Sequence, residues 1–423
     1  MKLKKITALL LPCMMLLPVI TSGFSPQGRL PQIYWHLYDH LPKIDQDSEQ
    51  LLTFVDSFEG GTSYLSPNGI YPILNLYGDW HTMGRQYGHL LQQQLREFHD
   101  EISADVIARG ISYDEQVETG ILISTAYGSE ILQLMDGMWE TSGLSRQEVM
   151  VLNAGMMLLA GAALGGEPPA ACSGIAVWGH YSFDGTLIFG RNWDIHREAM
   201  TPYMKHLGVV VFHPLEGLAF ANIHPVGNLY LETGMNEAGL FLELNNGEQS
   251  DSGYDPEAED TASVLLRVLA SSYTLEDAYS MLEKTPVDLS YIIQLADPYR
   301  AVSVERATFG CRMREGGYPG LLTAYNSFVP PYPAEWKSLV NPPPQISQDP
   351  RLFNLQNLAN SPEYQGLFTV GNMMRLMDIP VQDGGAVHGG TVYQVIAVPE
   401  TKTVWLRGIE YSGWEEVALS SLF

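Results

Sequence analysis

Hydrophobic and polar residues follow three different rhythms along this chain. An unbroken apolar run at 6–20 comes first, with Lys2, Lys4 and Lys5 before it and Thr21, Ser22 and Gly23 after it. Helical spacing follows. Segments 90–102, 116–139 and 146–160 repeat apolar residues every three or four positions and are built largely from good helix formers. Ser145 with Glu148 three residues on is a capping-box pattern that opens the last of them. An acidic stretch at 45–58 also reads as helix, and 71–76 as a strand. From residue 172 onward the period shortens to strand-like runs at 174–178, 186–189, 207–212, 217–223 and 239–244, then 291–295, 301–304, 321–325, 391–398 and 403–407. Asp184-Gly185 is a hairpin signal between the first two. A helical region at 262–284 breaks near 271–274, where Thr274 and Asp277 suit a new helix start. The acidic loop 247–260 and the proline-rich 330–350 read as surface excursions. Between the helical and strand-rich halves lies Gly165-Gly166-Glu167-Pro168-Pro169-Ala170-Ala171, a small-residue linker that suits an exposed, cuttable loop.

The first apolar run has the basic, apolar and small-polar order of a secretory signal, and it is short for a membrane span. Residues 1–23 are therefore expected to be a signal peptide on a secreted or periplasmic protein. The remaining 400 residues are long enough for a sizeable core. Lys and Arg number 23 against 48 Asp and Glu, a net charge of −25, so phosphate backbones and anionic membrane surfaces are repelled and nucleic-acid binding is excluded. No metal-ligand spacing, phosphate loop or other cofactor motif is present, and no cofactor is expected. The Met-rich run at 150–157 reads as helix core.

Of three cysteines, Cys13 lies in the leader, which leaves Cys172 and Cys311. One disulfide or two buried thiols is the plainer reading of that pair. The position of Cys172 at the seam between the two halves suggests another. A thiol acts as a nucleophile when a base and a thiolate-favouring site accompany it. Eleven histidines offer no local signature to select a base. Cutting the bond between Ala171 and Cys172 would supply one, because the new α-amine titrates near neutral pH and sits beside its own thiol. A strand, a turn at Asp184-Gly185 and a returning strand would bring Arg191 and Asp194 back beside Cys172. The guanidinium can favour a thiolate or orient a substrate, and the carboxylate can hold the ammonium.

Cys172-Ser173, the Asp184-Gly185 turn and Gly190-Arg191-Asn192-Trp193-Asp194 together resemble the N-terminal-nucleophile (Ntn) amidohydrolases. That superfamily includes the choloylglycine hydrolase and penicillin V acylase group, and the isopenicillin N acyltransferase (peptidase C45-like) group with its acid ceramidase relatives. Further motifs follow in the same order. Gly78 to Gly88, with Met83-Gly84-Arg85-Gln86-Tyr87-Gly88, is similar to the propeptide motif of the acyltransferase group. Gly234-Met235-Asn236-Glu237-Ala238-Gly239-Leu240 precedes a strand ending in Leu244-Asn245-Asn246. Tyr325-Asn326-Ser327 resembles the element that supplies an oxyanion-hole amide, and Gly385-Ala386-Val387-His388-Gly389-Gly390 the turn before the C-terminal hairpin. Ala171 before the nucleophile departs from the Gly common there, and the interval from Cys172 to Arg191 is longer than in bile-salt hydrolases, which favours the acyltransferase group.

The resemblance implies an α+β fold, a four-layer αββα sandwich with an N-terminal helical prosegment. It implies three parts: signal 1–23, helical prosegment 24–171 and catalytic chain 172–423, the last two remaining associated after self-cleavage. The expected activity is that of an amidohydrolase or acyltransferase on linear amide bonds of small N-acyl compounds, with an acyl thioester as an alternative donor. Cys172 is the implied nucleophile, Arg191 and Asp194 its companions, and Asn326 with Asn245 the oxyanion donors; Asn246 offers an alternative register to Asn245. His388 could line the pocket or be structural, and Trp193 and Trp178 read as core or pocket wall. Two rivals stay open: an uncleaved, non-catalytic secreted binding protein of the same fold, and a Cys/His protease.

Overall fold

A computed structural model describes residues 51–164 and 172–423. The expected signal peptide and the linker before Cys172 lie outside the described residues. Among those described, two sheets form the middle of the molecule. The larger runs β1 (Thr53–Phe58), β2 (Gly61–Leu65), β3 (Pro72–Gly78), β6 (Leu207–Pro214), β7 (Phe220–Pro225), β8 (Thr233–Asn236), β9 (Phe241–Asn246), β10 (Tyr291–Ala296), β11 (Ala301–Ala307) and β12 (Gly310–Arg314), in that spatial order. Only β3 and β6 pair in parallel. The smaller runs β13 (Leu321–Ala324), β4 (Ser173–Val177), β5 (Ile188–Asp194), β14 (Thr391–Val398), β15 (Thr403–Gly408) and β16 (Glu415–Ala418), all antiparallel.

Strand alternation explains how the sheets stack. On β4, Ile175 and Val177 face a cluster with Met373, Met374 and Met377, whereas Ala176 joins the core shared with the larger sheet. On β5, Phe189 meets Phe241 of the larger sheet with ring centroids 4.9 Å apart, and Gly190 faces the Met373 and Met377 sulfurs. Helices Arg351–Ala359 and Val370–Met377 cover the outer side of the smaller sheet. Thr261–Ser271 and Leu275–Lys284 cover part of the larger one, the second opened by the expected Thr274–Asp277 capping box. The result is helix, sheet, sheet, helix, the α+β sandwich expected from the motifs.

The N-terminal half is helical from Trp80 to Leu164, in five helices: α1 (Trp80–Leu90), α2 (Gln92–Ala108), α3 (Tyr113–Ser124), α4 (Ser129–Ser142) and α5 (Arg146–Leu164). The Ser145–Glu148 cap opens α5 as expected. The stretch read as helix at 45–58 is instead strand where it is described. Thr53, Phe54 and Val55 suit a strand, and Glu59 and Gly60, both at positive φ, make a tight turn into β2. The N-terminal half thus adds three strands to the larger sheet.

The Gly78 to Gly88 motif is a packing device. Asp79 caps α1 by accepting from the Thr82 N–H at 2.7 Å, and Arg85 pairs with Glu59 and Glu140. Gln86 accepts from Tyr77 N–H and donates to the Glu59 and Tyr77 carbonyls, each at 2.8 Å. Gly84 and Gly88 let α1 lie directly on α4: a Cβ on Gly84 would stand 2.2 Å from the Leu134 carbonyl oxygen. Gly84→Ala is therefore expected to cost about 1–3 kcal/mol, the usual range for overpacking, read as a lower denaturant midpoint with an unchanged slope.

Candidate active site

Cys172 stands immediately before β4, and Asp194 ends the returning strand β5. Ser173 pairs with Asn192 and Gly174 with Arg191, so the two strands carry Cys172, Arg191 and Asp194 to one end of the smaller sheet. The hairpin expected from Asp184-Gly185 exists, but its connection runs from Trp178 to Leu187. It includes a 3-10 turn at Gly179–Tyr181, with Gly185 at positive φ further along. Gly174 is required by the facing sheet: a Cβ there would lie 2.1 Å from Gln294 Nε2 and 2.6 Å from Glu243 Oε1.

The Cys172 sulfur is buried, 3.8 Å from the Asp194 carbonyl oxygen and 4.0 Å from Arg191 Nη2. Burial pushes the thiol up to about 12; Arg191 pulls it down, and the Asp194 and Glu232 charges push it further up. In this uncut chain the thiol is held protonated. Neither hydrogen-bond partner of the sulfur is a histidine. Cys311 lies on β12 at the edge of the larger sheet, and both thiols are free.

Arg191 is fully buried and heavily committed. Nη1 donates to the Glu232 carbonyl at 2.7 Å, Nη2 donates to the Leu244 carbonyl at 2.9 Å, and Nε stands 3.1 Å from Glu243 Oε2. Its carbon lies 6.0 Å from the Tyr393 ring, which stacks on Trp193, a buried residue of the core. With these commitments Arg191 acts on the thiol and on the strand ends, and among the described residues it has little left to orient a substrate. Glu243 also accepts from Gln294 and from Asn245 Nδ2 at 3.1 Å. Burial pushes its carboxyl up to about 7, and Arg191, Gln294 and Asn245 oppose that.

The Asp194 carboxylate is fully buried. Its Oδ2 lies 3.4 Å from Arg351 Nη1 and 3.2 Å from His388 Nε2, and its Oδ1 is buried without a partner among the described residues. Gly390 N–H donates to His388 Nδ1 at 3.0 Å. That bond leaves Nδ1 as the acceptor and assigns the ring proton to Nε2, facing Asp194. Arg197 fastens this turn, donating to the His388 and Thr391 carbonyls at 2.5 and 2.7 Å.

Arg351 escaped the sequence reading. It donates to the Cys172 carbonyl at 3.2 Å as well as pairing with Asp194, and it grips Asp349 through Nε and Nη2 at 2.8 and 2.5 Å. Burial alone would raise the Asp349 carboxyl, yet the Arg351 guanidinium holds it below the ordinary range. The proline-rich 330–350 is accordingly more than a surface excursion. It buries Trp336 against Phe309 and Phe328 and delivers Asp349 and Arg351 to Cys172. A two-residue Asp-x-Arg spacing at the end of a proline-rich loop is a weak signal, and only the fold reveals its target.

The two asparagines are placed differently. Asn326, just after β13, donates from Nδ2 to the Asn246 carbonyl at 2.8 Å, and its Oδ1 is buried without a partner among the described residues. Asn245 is fully buried on β9, and one N–H of its amide donates to Glu243. Asn246 is less buried, and its amide donates to Glu248 at 3.0 Å. The acidic loop 247–260 is partly interior: Asp251 is buried and accepts from Thr308, and Asp260 caps the helix Thr261–Ser271.

Residues 182–352 match the family model described as acyl-coenzyme A:6-aminopenicillanic acid acyl-transferase. That stretch is less than half of the chain and contains Arg191, Asp194, Asn245, Asn326 and Arg351. No curated protein matches the chain. Solved structures similar to it include a mutant of the conjugated bile acid hydrolase from Clostridium perfringens, 15% identical, covering 59% of this chain and 93% of that one with a TM-score of 0.42. A Caenorhabditis elegans ortholog of N-acylethanolamine-hydrolyzing acid amidase is 18% identical over 59% and 100%, TM-score 0.40. Penicillin V acylase from Agrobacterium tumefaciens is 15% identical over 59% and 86%, TM-score 0.37. The resemblance read from the motifs and the matched family agree. The matched stretch is similar to the acyltransferase group that the motifs resemble.

Proposed function

We propose that the protein is exported, cuts itself between Ala171 and Cys172, and then hydrolyses or transfers the acyl group of small N-acyl amides. The observation that carries this reading is a thiol at the head of a strand, beside a buried Asp194 whose Oδ1 has no partner among the described residues. In the self-cleavage step the Cys172 sulfur attacks the Ala171 carbonyl, the peptide nitrogen leaves as the Cys172 α-amine, and water opens the thioester to a carboxylate. The amine then serves as the base, held by Asp194. On a substrate the thiolate attacks the amide carbonyl and the released amine takes the proton. Water or an acceptor amine then resolves the acyl-thioester and restores the thiol. Asn326 and the Asn245 region are the donors for the oxyanion, and Arg351 joins them as the residue that ties Asp194 to the Cys172 carbonyl. Residues 24–171 stay bound as the helical chain, since β3 is already paired with β6.

A panel of N-acyl amides of graded acyl length tests this. The expected result is release of one amine per amide cleaved, with an acyl adduct trapped by mass on the peptide that begins at Cys172. Turnover with no adduct there, or no turnover on any member, overturns it.

His388→Ala checks the positioning of Asp194. His388 Nε2 stands 3.2 Å from Asp194 Oδ2 without a formed hydrogen bond, and losing that neighbour is expected to lower kcat by about tenfold. KM and the thermal midpoint should stay near wild type, because the ring is partly exposed and Arg351 still holds the carboxylate. An equal loss in thermal stability and activity would instead mark His388 as structural.

A further inference from the structure

Away from Cys172, the buried guanidinium of Arg306 has no carboxylate within ion-pair distance among the described residues. Arg306 on β11 is 1% exposed, and it pairs across the sheet with Tyr291 on one side and Cys311 on the other. Its Nη2 donates to the Thr285 carbonyl at 2.8 Å and the Pro286 carbonyl at 3.3 Å; its Nη1 is buried with no acceptor among the described residues. The other deeply buried guanidiniums are paired, Arg191 with Glu243 and Glu232, and Arg351 with Asp349 and Asp194. Asp288 acts on Arg306 only through space and accepts from Thr261 Oγ1 at 2.5 Å. Burial works against the charge on Arg306. A buried guanidinium left unpaired is costly, and the usual remedy is an anion.

There is room for one. Arg306 lines a cavity of about 270 Å³ whose walls include Leu282, Pro286, Val287 and Cys311. Asp255, Glu283 and Lys284 also line it, so beyond Arg306 the charges sum to one negative. With Arg306 counted the charged side chains of the lining sum to zero, so a dianion is disfavoured more than a monoanion. A carboxylate oxygen can accept from Nη1, and Leu282, Pro286 and Val287 offer apolar contacts to a short alkyl tail. We propose that this cavity, between β11, β12 and the helix Leu275–Lys284, binds a short-chain monocarboxylate whose carboxylate pairs with Arg306.

Cys311 makes the site testable without reference to activity. Iodoacetate is itself a small monocarboxylate, and it alkylates a thiol with loss of iodide; iodoacetamide is its neutral counterpart. In the full chain carrying Cys172→Ala, peptide mass mapping follows each reagent at Cys311. Iodoacetate is expected to react with saturation and about tenfold faster than iodoacetamide, the ratio that a preference of about 1.4 kcal/mol gives. Propionate should slow it, and Arg306→Gln should remove the preference. A rate linear in iodoacetate, indifferent to propionate and unchanged in the variant, overturns the proposal. Should Arg306→Gln fail to fold, the wild-type chain decides: a thermal midpoint that rises with propionate but not with chloride at equal ionic strength supports the site, and no rise refutes it.

Discussion

Cys172→Ala is expected to leave the chain in one piece and to lower amide hydrolysis by about four orders of magnitude or more, the scale seen when a covalent nucleophile is removed. Both losses come from one atom. The sulfur that would open the Ala171–Cys172 bond is the sulfur that would take the acyl group, so no variant at this position should separate processing from turnover. Cys172→Ser is the sharper comparison. Its hydroxyl occupies the same place before β4 but is a weaker nucleophile, so slow cleavage with residual turnover is expected. The fold should tolerate both changes: the sulfur lies 3.8 Å from its carbonyl partner and fills little of the core. A denaturing gel with intact mass, together with a rate on the best N-acyl amide, reads all of this. A Cys172→Ala chain that still cleaves would remove Cys172 from the mechanism.

Arg191→Met carries the largest expected effect on stability. The guanidinium is enclosed by Glu243, Glu232 and two carbonyls, and deleting it leaves a carboxylate in the interior with its opposing charge gone. Breaking a buried pair from one side costs about 3–5 kcal/mol. The sign of the pH dependence follows from Glu243. Burial already pushes its carboxyl up to about 7 in the presence of Arg191, and without Arg191 it rises further. An acid whose affinity for protons is raised on folding contributes its stability below the ordinary carboxylate range and loses it as pH rises through the folded-state value. The variant should therefore keep a steady offset from wild type between pH 5 and about 7, where Glu243 takes up its proton in both, and fall away further above pH 7. Adding Glu243→Gln should recover much of the loss, because the double variant buries no unpaired charge. Urea unfolding at pH 5 and pH 8 distinguishes this from a simple cavity, which would be insensitive to pH.

Local patterns carried much of the architecture. The Thr274–Asp277 and Ser145–Glu148 caps mark helix starts because each joins residues three apart, and the short apolar runs at 174–178 and 391–398 mark strands buried on both faces. The stretch at 53–58 deceived because its side chains are almost all exposed on an edge strand, so no alternation survives; only the Glu59–Gly60 turn betrayed the hairpin. At the site, the strand pairing that joins Cys172, Arg191 and Asp194 was legible, since all three belong to one hairpin. Arg351 was not, because it reaches Cys172 across 179 residues of sequence after a proline-rich loop. Glu243 reads as one more acid among 48, and only the two-sheet packing buries it beside Arg191. Asn245 and Asn326 were found as residues, but the hydrogen bonds that occupy their amides belong to tertiary structure.

The central claim is that Cys172 becomes a chain terminus. Intact mass and N-terminal sequencing of the active, purified protein test it most directly. The account predicts two associated chains, the larger beginning at Cys172 with a free α-amine. A single uncut chain that hydrolyses N-acyl amides at full rate would contradict it.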